Sequence, residues 1–255
     1  MKTKGRVIMK ILSIGNSFSQ DAQRYLYGIA KHNGDDIKNI NLYIGGCPLH
    51  THFKNITNNA SEYAFEYKGN IDTGIKVSIL EALQSDMWDY ITLQQASNRS
   101  FQIDSYTPYI ERLAEYCRYH APKAKILLHQ TWGYETGSNI IAKFASSFDC
   151  YESMQTKICE CYAEAAKLIN ADGIIPCGET MRRMLELGAE KIHRDGYHAD
   201  YGFGRYAQAL TWYGMLFGKD VANDTFSDFD VEVPENLAKI ARQAASDVLK
   251  ANKLI

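Results

Sequence analysis

The chain has 255 residues, 45% hydrophobic and 23% charged, a globular composition with enough apolar material to bury a sizeable core. Lysine and arginine number 28 against 30 aspartates and glutamates, and no basic block stands out, so the electrostatic footprint of a phosphate-backbone binder is missing and nucleic acid is not an expected partner. No segment approaches the ~20 apolar residues of a membrane-spanning helix, so no membrane partner is expected either.

The N-terminus opens on basic Met1-Lys2-Thr3-Lys4-Gly5-Arg6, but the apolar stretch after it is broken by Lys10, Asn16 and Ser17. That is too short for a signal peptide, so a cytoplasmic location is expected, or a secreted one if the N-terminus has been trimmed. Val7 to Ile14 is a short apolar run ending at Gly15, and a helical pattern follows from about Asp21 to Lys31, which reads as strand, turn, helix. Further buried strands are expected at Asn41 to Ile44, ending in Gly45-Gly46, at Trp88 to Leu93, ending in Gln94-Gln95, at Ala124 to His129, ending in Gln130-Thr131-Trp132, and at Gly173 to Pro176. Tyr63, Phe65 and Tyr67 alternate within Ser61 to Val77 and predict a small β-hairpin insertion. Three- and four-residue spacing of apolar side chains predicts helices at Tyr106–Tyr119, Tyr151–Ile169, Glu179–Glu186, Tyr201–Leu216 and Glu235–Ala251.

Strand–helix alternation implies a parallel sheet of about five strands sandwiched by helices. With no linker or composition shift, residues 1–255 read as one domain. In such a sheet ligands sit beyond the carboxyl ends of the strands, where four polar loops converge: Asn16-Ser17, Gly45-Gly46, Gln94-Gln95-Ala96-Ser97 and Gln130-Thr131-Trp132. Six cysteines are scattered without a CxxC pair, so zinc-ribbon and thioredoxin-like readings lack their spacing. Cys150, Cys159 and Cys161 lie on or near one predicted helix, pointing in different directions.

Gly15-Asn16-Ser17-Phe18-Ser19 puts a serine where the chain turns sharply from strand into helix. The turn exposes the hydroxyl and offers backbone N–H groups to a developing oxyanion; the same composition also serves as an ordinary turn with a helix cap. Near the other end, Arg194-Asp195-Gly196-Tyr197-His198-Ala199-Asp200 contains Asp-x-x-His, which supplies a base together with the carboxylate that orients it, or else a solvated loop in which Asp200 caps the next helix. His193 reads as loop.

Together these two segments resemble the first and last blocks of the SGNH, or GDSL-type, hydrolase superfamily, in a divergent bacterial branch with Asn16 in place of the usual aspartate. The resemblance runs from about Ile8 to Gly218. It implies a flavodoxin-like three-layer α/β/α sandwich and a Ser-His-Asp triad of Ser17, His198 and Asp195. An oxyanion hole would be built from Ser17 N–H and Gly46 N–H, with Gly45 as the neighbouring alternative. The third block departs from the pattern: Gly-x-Asn-Asp is replaced by Gln94-Gln95-Ala96-Ser97-Asn98, so Gln95 or Ser97 is expected to present the side-chain donor. Asn16, His52 and Trp132 are expected to border the substrate, with Tyr134 as a further wall. His50 and His52, two apart, would share one face of a strand and permit a metal there, but no acidic or cysteine partner stands at ligand spacing. No metal or organic cofactor is implied. The expected activity is hydrolysis of a small-molecule or carbohydrate ester, such as an O-acetyl group on a sugar. Two other readings stand beside it: a carbohydrate or small-ligand binding protein whose altered third block has cost it the chemistry, and a flavodoxin-like nucleotide or flavin binder. The last is opposed by a first loop lacking both G-x-G-x-x-G and a Walker lysine–hydroxyl pair.

Overall fold

The computed structural model describes residues 8–255; Val7 and the basic Met1–Arg6 segment lie outside them. Eight residues, the last five of them buried, form β1 (Ile8–Gly15), the central strand of one seven-stranded sheet. It pairs in parallel with β2 (Asp36–Tyr43) on one side and β5 (Tyr90–Leu93) on the other. Next come β6 (Lys125–His129) and β7 (Gly173–Ile175), both parallel. The order β2-β1-β5-β6-β7 is that of flavodoxin-like sheets, whose winding reverses beside the first strand. Register brings Gly15 level with Tyr43, and Ile14 with Leu93, so the polar loops after these strands open at one edge of the sheet.

The predicted hairpin forms β3 (Tyr63–Tyr67) and β4 (Ile71–Val77). It joins the main sheet, β3 running antiparallel to β2 with Asn41 opposite Glu66, and extends the five parallel strands to seven.

Helices cover both faces. On one, α1 (Ser17–Gln23), α2 (Leu26–His32), α7 (Cys177–Glu186), α8 (Phe203–Phe217) and α9 (Glu235–Ala251) pack together; on the other lie α3 (Leu49–Asn58), α4 (Ile79–Gln84) and α5 (Tyr109–His120). Helix α6 (Tyr151–Leu168) touches both β7 and α7. Instead of one helix from Asp21 to Lys31 there are two, and the first begins at Ser17, because the Asn16 side chain caps it directly off the strand. Helices α3 and α4 were not anticipated: α3 is polar along much of its length, and α4 has only six residues, although its Ser78–Glu81 capping box is a sequence signal. Among the described residues no helix is long and apolar enough to cross a membrane.

Helix α7 approaches the loop after β6 closely enough that only glycine fits at its second residue. A Cβ on Gly178 would lie 2.4 Å from the Thr131 carbonyl oxygen and 2.2 Å from Gln155 Nε2. Gly178→Ala is therefore expected to destabilise by about 1–3 kcal/mol despite its better helix propensity. Thermal unfolding should show a melting point several degrees lower; an unchanged one would mean that the loop yields freely.

Candidate active site

Ser17 is the first residue of α1, a position whose backbone N–H has no intrahelical acceptor. Its place is fixed by Asn16, whose amide is committed on every side. Oδ1 accepts from Phe18 N (3.0 Å) and Gln94 Nε2 (2.6 Å), while Nδ2 donates to the Cys47 carbonyl (3.2 Å). Gly15 before it has no room for a side chain, since a Cβ would lie 2.2 Å from Ser19 Oγ. Gln94 accepts in turn from His129 Nδ1 at 2.6 Å, and burial pushes the His129 imidazole down to about 3, keeping it neutral.

The structure brings Ser17, His198 and Asp195 together from opposite ends of the chain. Ser17 Oγ lies 2.8 Å from His198 Nε2, and His198 Nδ1 lies 2.7 Å from Asp195 Oδ2. Asp195 Oδ1 also accepts the backbone N–H groups of His198 (2.9 Å) and Tyr197 (3.3 Å). Partial burial works against its charge, but the bonds from His198 outweigh that and hold the carboxyl below its ordinary value. An imidazole so oriented, with a hydroxyl on one nitrogen and a carboxylate on the other, is arranged to take the hydroxyl proton.

The loop carrying His198 is anchored at both sides. His193, expected to be plain loop, is buried and bonded through Nε2 to the Gly133 carbonyl at 2.9 Å, and it bridges to Ala199. Arg194 Nη1 reaches Asp21 Oδ2 at 2.7 Å and the Ala199 carbonyl at 2.6 Å. Arg205, on α8, meets Asp21 Oδ1 through Nε (2.9 Å) and Nη2 (2.8 Å). Asp21 is fully buried, one helical turn beyond Ser17.

Ser17 and His198 open onto a cleft of about 520 Å³ bordered also by Tyr43, Gly45, Gly46, Ser97 and Tyr134. Gly46 holds φ at +61°, a conformation that favours glycine, and no atom lies within 4 Å of where its Cβ would be. Ser97 Oγ bonds the Tyr134 hydroxyl at 2.9 Å.

Three expected site residues are elsewhere. Gln95 is a buried strut: Oε1 accepts from Leu49 N and Ala96 N, and Nε2 donates to the Ser105 carbonyl, so no amide group is left for an oxyanion. His52 lies on helix α3, not a strand, and is wholly buried against Tyr63, whose hydroxyl is 2.8 Å from Nδ1. It does not border the cleft, and with His50 exposed on the same helix the two share no face. Trp132 is also fully buried. It packs on Phe18 with ring centroids 4.3 Å apart and donates Nε1 to the Tyr197 carbonyl at 2.7 Å, supporting the His198 loop from behind. Asn16 borders the cleft, but with its amide spent inside the protein. Sequence reasoning missed Tyr43, Ile140, Lys143, Phe144 and Tyr197; only Tyr197, inside Asp-x-x-His, carried a positional signal. Cys47, near His52, stays a protonated thiol, since burial pushes it up to about 12.

Beneath α1, Ser19 Oγ donates to Asn41 Oδ1 (2.8 Å), Asn41 Nδ2 to Glu66 Oε2 (2.7 Å), and Gln20 Nε2 to the other Glu66 oxygen. Burial pushes the Glu66 carboxyl up to about 7 against the pull of the Asn41 and Gln20 amides. A folded value above the unfolded one means that the protonated acid is favoured by folding: this contribution is complete below about 4.5 and is lost as pH rises through 7. Between pH 4.5 and pH 8 the wild type should lose stability relative to Glu66→Gln by an amount on the order of 2–3 kcal/mol, measurable by urea denaturation at both pH values; parallel pH profiles would refute it. The Asp21 clamp gives a larger effect. Asp21→Ala removes the fully buried carboxylate from two largely buried guanidinium groups, of which only Arg205 keeps a second anion, Asp230 at 3.6 Å, and should cost about 3–5 kcal/mol in the same assay, whereas a loss under about 1 kcal/mol would show that the loop is held by other contacts.

Residues 10–248 match the family described as a domain of unknown function, DUF4886. A crystal structure of a DUF4886 family protein from Bacteroides uniformis is similar with a TM-score of 0.87 at 34% identity, covering 96% of this chain and 96% of that one. Two more distant structures share the fold. A candidate SGNH hydrolase from Slackia heliotrinireducens has a TM-score of 0.60 at 20% identity, covering 81% of this chain and 98% of its own. A candidate GDSL-like lipase from Parabacteroides merdae has a TM-score of 0.54 at 13% identity, covering 81% and 94%. No curated protein matches. The chain therefore belongs to the DUF4886 family, a divergent family with the fold of SGNH, or GDSL-type, hydrolases.

Proposed function

We propose that the chain is a serine ester hydrolase that removes small acyl groups, with O-acetyl groups on carbohydrate among its substrates. The observation that carries this reading is the continuous hydrogen-bonded line Ser17 Oγ–His198–Asp195, at 2.8 and 2.7 Å. In the first step Ser17 Oγ attacks the ester carbonyl carbon while its proton passes to His198 Nε2. Asp195 accepts the Nδ1–H hydrogen bond throughout and stabilises the imidazolium. The carbonyl oxygen, now an anion, is met by the N–H groups of Ser17 and Gly46. The imidazolium then returns the proton to the leaving alcohol oxygen as the C–O bond breaks, giving an acyl-enzyme. Water, deprotonated by the same imidazole, releases the acid and restores Ser17.

Ser97 is the side-chain donor of this reading. Burial pushes the Tyr134 hydroxyl up to about 12, so it stays protonated, and when it donates to Ser97 Oγ the serine proton is free for the oxyanion. A donor of this kind is worth about 2.7–4 kcal/mol in the transition state.

A fluorophosphonate probe should label the wild type at Ser17, and Ser17→Ala should abolish both labelling and hydrolysis of a short-chain aryl acetate. His198→Ala should lower kcat/KM by about 10²- to 10⁴-fold. Asp195→Ala should cost less, because the carboxylate is 42% exposed and water can replace it on Nδ1. Labelling that survives in Ser17→Ala, or wild-type protein inert to probe and ester alike, would end the proposal.

A further inference from the structure

Among the described residues bordering the cleft, Lys143 alone carries a permanent charge, and no carboxylate borders it. Lys143 is exposed and takes part in no ion pair among the described residues. By contrast, Lys157 and Lys250, also exposed, are paired with Glu160 and Asp220. In a chain whose formal net charge is −2, this lysine places a positive charge at the cleft, where it attracts anions.

The position of the lysine relative to the chemistry narrows what that anion is attached to. Lys143 lies on the short 3-10 turn Ile141–Phe144, next to Phe144. From Phe144 a run of rings leads to the imidazole: Phe144 to Tyr134 at 5.9 Å between centroids, Tyr134 to Tyr197 at 5.7 Å, and Tyr197 to His198 at 3.9 Å. In the hydrolase reading, on which this inference rests, His198 delivers its proton to the leaving alcohol, so the wall continuous with His198 faces the alcohol part of the ester. Aromatic side chains there offer an apolar surface to a flat or ring-shaped group, and Lys143, the neighbour of Phe144, borders the cleft at the end of that run farthest from His198.

We infer that the preferred substrates are esters whose alcohol part is a ring bearing an anionic group, a carboxylate, sulfate or phosphate, as in an O-acylated acidic sugar. The ring lies along Tyr197, Tyr134 and Phe144, and the anion meets Lys143.

Two fluorogenic esters with the same phenolic leaving atom test this: 7-acetoxycoumarin-4-acetic acid and its carboxamide, which place a carboxylate or a neutral amide at the far end of a two-ring alcohol. With rates normalised to alkaline hydrolysis of each ester, the wild type should show a kcat/KM about fivefold higher for the carboxylate at low ionic strength, the preference fading as salt screens it. Lys143→Arg should keep the preference and Lys143→Glu should invert it. Equal normalised values for the two esters in the wild type, or a preference that Lys143→Glu leaves unmoved, overturns the inference while the hydrolase reading stands. Turnover of neither ester by the wild type defeats both.

Discussion

A single buried carboxylate, Asp21, holds the two ends of the chain in register. It has no exposure to solvent and meets two guanidinium groups, Arg194 from the loop carrying His198 and Arg205 from α8. Both guanidinium groups also lie over the Tyr201 ring at 4.7 Å, so their planes are fixed by stacking as well as by hydrogen bonds. Desolvating such charges is expensive, and an apolar replacement of equal volume would stabilise the fold as well or better. What an apolar contact would lack is direction. Ser17 and Asp21 stand one turn apart on α1, and Arg194 precedes His198 by four residues, so a clamp that fixes the helix against the loop also fixes hydroxyl against imidazole.

The same helix is too short to persist on propensity. Seven residues fall well below the length at which isolated helices are stable, and α1 is seated instead on polar side chains rising from the sheet. Gln23 donates to Ser13 (2.9 Å), Thr92 donates to the same hydroxyl (2.9 Å), and Ser19 to Asn41 (2.8 Å). Each bond is modest in net energy, but leaving any of these buried groups unpaired costs about 1–3 kcal/mol, so the network tolerates one arrangement of α1 above the strand ends. Glu66 extends it to the edge hairpin, which accounts for that hairpin joining the main sheet rather than standing apart as an insertion.

This division between contacts that are local in sequence and those that are not decides what could be read beforehand. Four of the five parallel strands are legible because each is a short apolar run ended by glycine or polar residues, and α9 because its periodicity is uninterrupted; of β2 only the end from Asn41 is, since Asp36, Lys38 and Asn39 interrupt its apolar pattern. Helix α1 was placed four residues late, since Ser17 to Gln20 have no apolar spacing and gain their helical state from a side-chain cap and tertiary bonds. Ser17, Asp195 and His198 stood out by order and spacing. Gln95 and Trp132 sit on the loops that converge at the site, but a loop residue has two ways to face. Gln95 turns inward to satisfy the backbone of α3, and Trp132 to back Phe18 and the Tyr197 carbonyl. Lys143 and Phe144 lie in a segment with no pattern of its own, and only folding carries them to the cleft.

In the proposed hydrolase reading that segment marks a second division, between the parts of the cleft that would set the reaction and those that would set its substrate. Ser17, Gly46 and Ser97 follow directly on strands β1, β2 and β5, whose register is locked by burial on both faces. The far wall, from Tyr134 to Phe144, belongs to the connection between β6 and α6, which pairs with no strand and contacts the His198 loop through the Glu135 N–H to the Gly196 carbonyl at 2.8 Å. Loops of this kind accept replacement more readily than the strands they join. In that reading a change at 140–144, beyond Tyr134 and its bond to Ser97, would alter which alcohol is held while leaving Ser17, His198 and Asp195 where the sheet and the Asp21 clamp put them.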